Sequence, residues 1–217
     1  MKLTKHVHAC VVLEDQGTTI VVDPGTFATN ARDLLSTADA VLITHDHFDH
    51  FDVEAVKDVV AQRPDLPVYA PASVIAQIGA GHLIEATDGL AFSVGPVPVQ
   101  VFLTGHAKIH PDLTMPDNAA YLIGDSAGGS VFHPGDTYLV PGVAVDTLLV
   151  PTSGPWTKLG EAVDFVRAVS PRQAVQIHEA MLSEIGQQST AHFLSEKGLT
   201  RTPFTVVPVG ESIEIAG

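Results

Sequence analysis

The sequence predicts a single α/β (α+β) domain in which short strands alternate with short helices. Apolar runs typical of buried strands recur along the chain, and segments with apolar residues at helical spacing lie between them. The 217 residues include no stretch that resembles a linker, so we expect one domain over residues 1–217. A domain of this size buries roughly 70% of the surface that its unfolded chain exposes. The single cysteine, Cys10, lies in an apolar run and is expected to be an unreactive core residue.

The first predicted elements form a hairpin. Residues 6–13 and 18–22 are strand-like, and the Glu-Asp-Gln-Gly sequence at 14–17 is typical of a turn. The second strand ends at Asp23, which is followed by a Pro-Gly pair. We therefore expect the chain to turn sharply after the second strand.

Strand and helix patterns then alternate up to the middle of the chain. The apolar run at 40–43 predicts a buried strand. Val53, Val56, Val59 and Val60 recur at helical spacing and predict a helix at about 52–62. The other elements predicted here are a short helix or turn at 30–37, a strand at 67–70, a short helix at 72–78, and an antiparallel strand pair at 90–94 and 97–103.

The second half of the chain repeats this alternation. Apolar residues on one face predict a helix at 159–169, which a Ser-Pro pair ends. A further helix is predicted at 187–197. The strands predicted in this half are 119–123 and 130–132 around a turn at 124–129, then 145–150, 173–177, 204–209 and 212–215.

Histidines and aspartates cluster directly after the strand at 40–43, in the sequence His-Asp-His-Phe-Asp-His. Loops at the C-terminal ends of strands are common ligand sites, and imidazole and carboxylate groups suit zinc, iron, manganese or nickel. His45 and His47 are two residues apart, so in an extended segment they point the same way and can share one metal. Asp49 and His50 follow where the chain turns into the helix, and they can face a second metal. The ordinary alternative is a polar surface loop, but packing alone hardly explains three histidines in six positions.

The His-x-His-x-Asp-His spacing of residues 45–50 resembles the signature of the metallo-β-lactamase superfamily. Three later residues match the same family in order. His106 ends a mid-chain strand, Asp136 stands in a Gly-Asp-Thr step, and His178 ends a late strand. The resemblance covers essentially the whole chain, and it implies an αββα sandwich of two mixed β-sheets with helices on the outer faces.

The resemblance also implies a centre of two metal ions. Zinc is the expected metal, with two ions per chain, and manganese or iron are alternatives. Asp136 would bridge the two ions together with a hydroxide, so Asp136 and Asp49 are the expected catalytic residues. The resemblance assigns His45, His47 and His106 to the first metal, and Asp49, His50 and His178 to the second.

Five further residues are candidates for the surroundings of this centre. Asp23 matches the family's aspartate that braces the metal-binding loop, although an aspartate at a strand end is also an ordinary turn residue. His8 matches only in part, because a valine precedes it where the family often has glycine, and it could equally lie on a surface strand. His110 is a rival for the mid-chain ligand position, and otherwise it is expected near the substrate. His133 is expected behind the ligands, and Trp156 is expected to line a pocket or cap the core.

The implied activity is hydrolysis of a small ester, lactone or phosphodiester. The chain is similar to the compact branch of the superfamily that includes ascorbate-6-phosphate lactonase-like and N-acyl-phosphatidylethanolamine phospholipase D-like proteins. One alternative is a mononuclear iron oxygenase of the persulfide dioxygenase type, which uses the same scaffold. Another is a metal-holding protein without catalysis. The complete set of ligands favours the hydrolase.

Composition limits the partners. The formal net charge is −14, with 25 acidic against 11 basic residues, which argues against nucleic acid because phosphate backbones need clusters of lysine and arginine. A small and possibly anionic substrate is compatible with this charge, because bound dications dominate the local field. The sequence has no signal-like N-terminal segment and no long apolar run, so we expect a cytoplasmic protein that does not enter a membrane. Nothing in the sequence indicates an oligomeric state.

Overall fold

Two mixed β-sheets pack face to face, with helices outside, in the computed structural model of the chain, which describes residues 1–125 and 127–215. The described residues form two seven-stranded sheets and five helices. This arrangement confirms the predicted αββα sandwich. Within the part of the chain that the structure describes, no helix is both long and apolar enough to cross a membrane.

The strands divide between the sheets largely by their position in the chain. The first sheet takes β1 to β6, which are Lys2–Lys5, Val11–Asp15, Thr18–Val22, Ala40–Leu42, Pro67–Ala70 and His82–Glu85. The second sheet takes β7 to β13, which are Ala91–Val94, Val97–Gly105, Asp117–Asp125, Gly129–His133, Thr147–Pro151, Gln173–Ile177 and Phe204–Thr205. The last strand, β14 at Ser212–Glu214, returns to the first sheet beside β1.

The two sheets have the same plan. The strand orders are β14-β1-β2-β3-β4-β5-β6 and β13-β12-β11-β10-β9-β8-β7. In the first sheet the pairs up to β2–β3 are antiparallel and the pairs from β3 to β6 are parallel. In the second sheet the pairs from β7 to β10 are antiparallel and those from β10 to β13 are parallel. The parallel halves need crossover connections, and helices supply several of them.

Helices cover the outer face of each sheet. They are α1 at Ala31–Thr37, α2 at Val53–Gln62, α3 at Ala72–Ile78, α4 at Leu159–Val169 and α5 at Glu184–Leu194. Asp52 caps the N-terminus of helix α2, and its side chain accepts a hydrogen bond from the backbone N–H of Ala55 at 3.0 Å. Its residues Val56, Val59 and Val60 are buried against the first sheet, as their spacing predicted.

The hydrophobic core has three layers. The central layer lies between the two sheets and includes Leu42, Tyr121 and Leu149. An outer layer joins the first sheet to helices α1, α2 and α3, and another joins the second sheet to α4. Because each sheet is buried on both faces, its central strands are continuous apolar runs rather than alternating ones.

The predicted strand at 6–13 is wrong in its first half. Strand β1 ends at Lys5, residues 6–10 form a turn, and β2 begins at Val11. The turn is closed by a hydrogen bond that the backbone N–H of His6 donates to the carbonyl of Cys10 at 2.9 Å. Residues 8–10 are buried because this turn packs into the molecule, so an apolar run here does not signal a strand.

The C-terminal predictions also need correction. Helix α5 starts and ends three residues earlier than predicted, because Ser183 caps its N-terminus by accepting a hydrogen bond from Gly186 at 3.2 Å. The strand predicted at 204–209 is limited to Phe204 and Thr205. Strands β9 and β10 flank the turn predicted at 124–129, of which Ser126 lies outside the described residues.

One tyrosine ties the two sheets together beneath the histidine loop. Tyr121 on β9 is fully buried, and its hydroxyl lies 2.9 Å from the carbonyl oxygen of Ile43 and 3.1 Å from that of Tyr69. Both carbonyls belong to the first sheet or its edge, whereas Tyr121 belongs to the second. The Tyr69 carbonyl also accepts the backbone N–H of Ile43 at 2.9 Å, so the single phenol proton serves mainly the Ile43 carbonyl, which the packing of the two sheets shields from water.

Tyr121→Phe should lower the free energy of unfolding by about 1–2 kcal/mol, because it removes a buried donor and keeps the ring. Urea unfolding measured by circular dichroism tests this expectation. Tyr69→Phe, at a partly buried tyrosine, is the matched control and should change stability by less than about 0.5 kcal/mol. Equal effects of the two substitutions would contradict the role given to Tyr121.

The Cys10 thiol should be unreactive toward alkylating reagents in the folded protein. Its side chain is buried, and burial raises its pKa to about 12. Since the thiolate is the reactive form, iodoacetamide at about pH 8 should label the folded protein at least about 100-fold more slowly than protein in concentrated guanidinium chloride. Mass spectrometry of timed samples measures the two rates, and fast labelling of the folded chain would show that Cys10 is accessible.

Candidate metal centre

The proposed ligands meet at one end of the sandwich, between the two sheets. Residues 45–50 begin three residues after the end of β4 in the first sheet. His106 and His178 directly follow β8 and β12 of the second sheet, and Asp136 lies three residues after β10. Each ligand thus stands at a strand end, where the chain leaves a rigid element and its side chain can turn toward the gap between the sheets.

Asp23 fixes the shape of the loop at 45–50. It is fully buried, and its carboxylate accepts hydrogen bonds from the backbone N–H and the hydroxyl of Thr44, both at 2.7 Å. The same carboxylate accepts a third hydrogen bond from Nδ1 of His50 at 2.6 Å. The bracing role predicted for Asp23 therefore has a definite geometry: it holds both ends of the loop.

Two glycines allow the backbone to approach this loop. A Cβ atom at Gly25 would lie 1.9 Å from the carbonyl oxygen of Asp49, which is far inside van der Waals contact. At Gly135 the backbone is left-handed, with φ of 65°, and a Cβ would lie 2.2 Å from Oδ1 of Asn118. That oxygen accepts the backbone N–H of Asp136 at 3.0 Å, so the missing side chain lets Asn118 hold Asp136 in place.

The titratable side chains form two groups, in each of which the candidate ligand atoms lie within 4.8 Å of one another. The first group gathers the residues expected at the first metal together with Asp136, and the second gathers those expected at the second metal together with His8. Group one consists of His45, His47, His106 and Asp136, and group two of His8, Asp49, His50 and His178.

Asp136 stands between the two groups. Its Oδ1 lies 3.0 Å from Nε2 of His50 and 3.1 Å from Nε2 of His178. Its Oδ2 lies 3.2 Å from Nε2 of His106 and accepts a hydrogen bond from the indole N–H of Trp156 at 2.8 Å. Each carboxylate oxygen therefore faces a different group of nitrogen donors.

Hydrogen bonds orient three of the histidines so that Nε2 points into the groups. Nδ1 of His50 bonds to Asp23, Nδ1 of His45 lies 3.0 Å from the Thr44 hydroxyl, and Nδ1 of His106 lies 2.5 Å from the carbonyl of Ala107. A neutral imidazole carries one proton, so a ring that donates through Nδ1 keeps a lone pair on Nε2. This is the arrangement that metal-binding histidines need.

The donor set fits divalent metal ions. Nε2 of His45 lies 3.1 Å from Nδ1 of His47, and Nε2 of His50 lies 3.1 Å from Nε2 of His178. Two nitrogens bound to one tetrahedral zinc are about 3.3 Å apart. Nε2 of His106 and Oδ1 of Asp136 are buried, and the polar atoms that lie near them belong to other candidate ligands, as expected of atoms reserved for a cation.

The charges in the centre support the same conclusion. Burial tends to raise the pKa of Asp136, but His50 and His178 outweigh it and hold that pKa well below its ordinary value. Burial lowers the pKa of His45 well below its usual range, so this ring is neutral. Burial also disfavours the charged forms of His50 and His178, but the Asp136 carboxylate outweighs it and raises the pKa of both rings. Without a metal these two rings therefore favour the protonated form beside Asp136, and a bound dication would take the place of those protons, because a metal binds an ionised carboxylate and neutral imidazoles.

The remaining candidates lie in different surroundings. His133 is buried behind the loop, where Nε2 donates to the carbonyl of Ala9 at 2.9 Å and Nδ1 accepts from Gly135 at 3.1 Å. His110 lies away from both groups, with its side chain 61% exposed and Nδ1 3.5 Å from Asp112. Of the two rivals for the mid-chain position, the structure thus brings only His106 into the centre.

A buried ion pair next to the centre is not predicted by the sequence. Nζ of Lys5 lies 3.0 Å from Oε2 of Glu179, and the side chain of Lys5 is only 1% exposed. Glu179 directly follows His178, and its Oε1 accepts the backbone N–H of His8 at 3.1 Å. The only sequence signal was that Lys5 falls on the same strand face as the buried Leu3.

The sequence profile of the family described as "Beta-lactamase superfamily domain" matches residues 2–178. The chain therefore belongs to this superfamily, and the metallo-β-lactamase resemblance of residues 45–50 is confirmed. Protein Rv0786c from Mycobacterium tuberculosis is 36% identical over 210 residues, which are 96% of this chain and 97% of that protein. The UPF0173 metal-dependent hydrolase from Anoxybacillus flavithermus is 28% identical over 239 residues, covering 99% of this chain and 100% of the relative.

Solved structures share the fold across the whole chain. Igni18, a metallo hydrolase from Ignicoccus hospitalis, superposes with a TM-score of 0.75 at 18% identity, covering 100% of this chain and 98% of Igni18. CmlA, a diiron β-hydroxylase from Streptomyces venezuelae, gives a TM-score of 0.76 at 18% identity, covering 99% of this chain and 54% of CmlA. At these identities the likeness concerns the fold alone.

Glu179→Gln should destabilise the protein by about 3–5 kcal/mol, because it leaves the Lys5 ammonium buried without a counter-charge. Urea unfolding near neutral pH measures the change. Glu161→Gln is the matched control, since Glu161 pairs with Lys158 at the surface and should lose less than about 1 kcal/mol. A double variant with Lys5→Met should recover part of the loss, and a loss at Glu179 no larger than at Glu161 would contradict the role of the buried pair.

Proposed function

We propose that this metal-dependent hydrolase binds two metal ions, most simply zinc, and cleaves a small ester, lactone or phosphodiester. The observation that carries the proposal is the position of Asp136, whose two carboxylate oxygens face two separate groups of nitrogen donors. One ion would be held by His45, His47 and His106, and the other by Asp49, His50 and His178, with Asp136 shared between them. Manganese or iron would suit the same donors.

Bound dications lower the pKa of a water molecule from 15.7 to about 7 and polarise the oxygen of a carbonyl or phosphoryl group. The chain's own contribution is to hold the donors in place before substrate arrives. Asp23 and Thr44 orient His50 and His45, and Trp156 donates a hydrogen bond to Asp136. A centre fixed in this way needs little reorganisation during the reaction.

Asp49 is placed to accept a hydrogen bond from the attacking water and to orient it. Its side chain is 16% exposed, against 4% for Asp136, so it is the more open of the two carboxylates in the centre. It remains ionised, because hydrogen bonds from His178 and His8 outweigh the effect of burial and lower its pKa. A carboxylate whose pKa is lowered in this way is a weak base, so its contribution would be to orient the attacking water, and the water's proton would pass to solvent.

The entrance to the centre suits a small organic substrate. Phe48 lies between two ligands of the loop and is 63% exposed, and its ring meets the ring of Phe27 edge-on at 5.7 Å. An exposed aromatic pair beside polar ligands is well suited to the apolar part of a substrate. The strongly acidic chain, with a net charge of −14, makes nucleic acid an unsuitable substrate.

The mononuclear iron oxygenase is the weaker candidate. It would need only one of the two donor groups, whereas both groups are complete in this chain. Elemental analysis of protein purified without added metal separates the candidates. About two zinc or manganese ions per chain support the hydrolase, and one iron per chain, with oxygen uptake in the presence of persulfides, would support the oxygenase instead.

His47→Ala should remove bound metal and hydrolytic activity together, because His47 supplies one of the nitrogen donors of the first group. Turnover of lactone and phosphodiester substrates is expected to fall at least about 100-fold. Metal content by elemental analysis and turnover should be measured on the same preparations. His110→Ala is the matched control and should keep both, since His110 lies in solvent. Full turnover by His47→Ala would rule out the proposed centre.

A further inference from the structure

We propose that His8 is not a ligand of the metal centre but a positioning residue that holds Asp49 through its Nε2–H. The inference rests on the metal centre proposed above. By distance alone His8 belongs to group two, since it shares the 4.8 Å neighbourhood of Asp49, His50 and His178. Its hydrogen bonds distinguish it from the other members of that group.

The hydrogen bonds of His8 define its tautomer. The backbone N–H of Ala180 donates to Nδ1 of His8 at 3.3 Å, so Nδ1 must carry a lone pair. In a neutral imidazole the proton then lies on Nε2, and this atom is 3.0 Å from Oδ2 of Asp49. Nε2 therefore donates to the carboxylate and has no lone pair for a metal.

Neighbouring histidines show both patterns. His50 donates through Nδ1 to Asp23, so its Nε2, which faces Oδ1 of Asp136 at 3.0 Å, is the atom left to offer a lone pair to a metal. His133 accepts at Nδ1 from Gly135 and donates at Nε2 to a carbonyl, so both of its nitrogens are engaged. His8 follows the pattern of His133, although it lies beside the ligands.

The surroundings of His8 prevent its imidazole ring from flipping. The residue is fully buried in a left-handed conformation with φ of 65°. Its N–H donates to Glu179, whose carboxylate is paired with Lys5, and its carbonyl accepts the N–H of His178 at 3.0 Å. The imidazole is also packed against the ring of His178, with centroids 3.6 Å apart, and edge-on against Phe27 at 5.1 Å.

This arrangement has a consequence for Asp49. The loop at 45–50 is braced by Asp23 at Thr44 and His50, whereas the side chain of Asp49 is the partly open one. The Nε2–H of His8 fixes the plane of the Asp49 carboxylate. His8 reaches it from the turn at residues 6–10, between β1 and β2. Donors of this kind commonly orient metal-binding carboxylates.

Nitrogen NMR on protein with ¹⁵N-labelled histidine tests the inference directly. In metal-free protein, two-bond ¹H–¹⁵N correlations should show the Nε2–H tautomer for His8. After loading with ¹¹³Cd²⁺, His50 and His178 should show ¹¹³Cd–¹⁵N coupling and His8 should show none. An Nδ1–H tautomer, or coupling at His8, would overturn the inference. If the protein takes up no Cd²⁺, the proposed metal centre fails, while the tautomer still decides the position of the proton.

Zinc titration of three variants gives a second test. Glutamine places an amide N–H near the position of Nε2, so His8→Gln should keep two zinc ions per chain with affinities within about threefold of the parent. His8→Ala lacks the donor and should weaken the second zinc about 10–100-fold, and His50→Ala should lose that ion. Loss of an ion from His8→Gln as complete as from His50→Ala would identify His8 as a ligand. Thermal melts confirm that each titrated variant is folded.

Discussion

The carboxylate of Asp23 is the constraint on which the centre depends. It is buried without exposure to solvent, and it is satisfied by the two polar groups of Thr44 and by the His50 ring. The hydroxyl of Thr44 in turn lies beside Nδ1 of His45. One carboxylate at the end of β3 therefore sets the direction of two imidazoles, and through them the position of each donor group.

Backbone strain is concentrated around the same residues. His8, Asp23 and His178 are non-glycine residues with left-handed backbones, at φ of 65°, 49° and 58°. Each such residue costs about 1–3 kcal/mol and persists only where its surroundings fix it. Hydrogen bonds from Thr44 and His50 hold Asp23 in this conformation. The ion pair of Lys5 and Glu179 holds the turn that contains His8, whose carbonyl accepts the N–H of His178. The strained backbone at these three residues lowers the stability of the fold, and it places their side chains at the centre.

The loop at 45–50 could be predicted from its own spacing and the distant His106, Asp136 and His178 from the family resemblance, whereas contacts between distant segments that carry no motif could not. Residues 45–50 carry their spacing on one short loop, and the strands before His106 and His178 have clear apolar patterns. The turn at 6–10 was missed because a buried turn and a buried strand have the same composition. The buried ion pair of Lys5 and Glu179 could not be predicted because charged residues are ordinarily solvated. No periodic pattern in the sequence connects residue 5 with residue 179.

The division of the proposed ligands between the two sheets has a consequence for folding. His50 and His178 face one another at 3.1 Å although 128 residues separate them in the chain. Neither sheet alone carries a full set of donors, so tight metal uptake has to follow the docking of both halves. Metal bound at the proposed centre would then act as a cross-link across the sandwich, and at a free concentration a thousand times its dissociation constant it would add about 4.1 kcal/mol to the stability of the docked state. Chelators would therefore loosen the interface between the sheets as well as stop the chemistry.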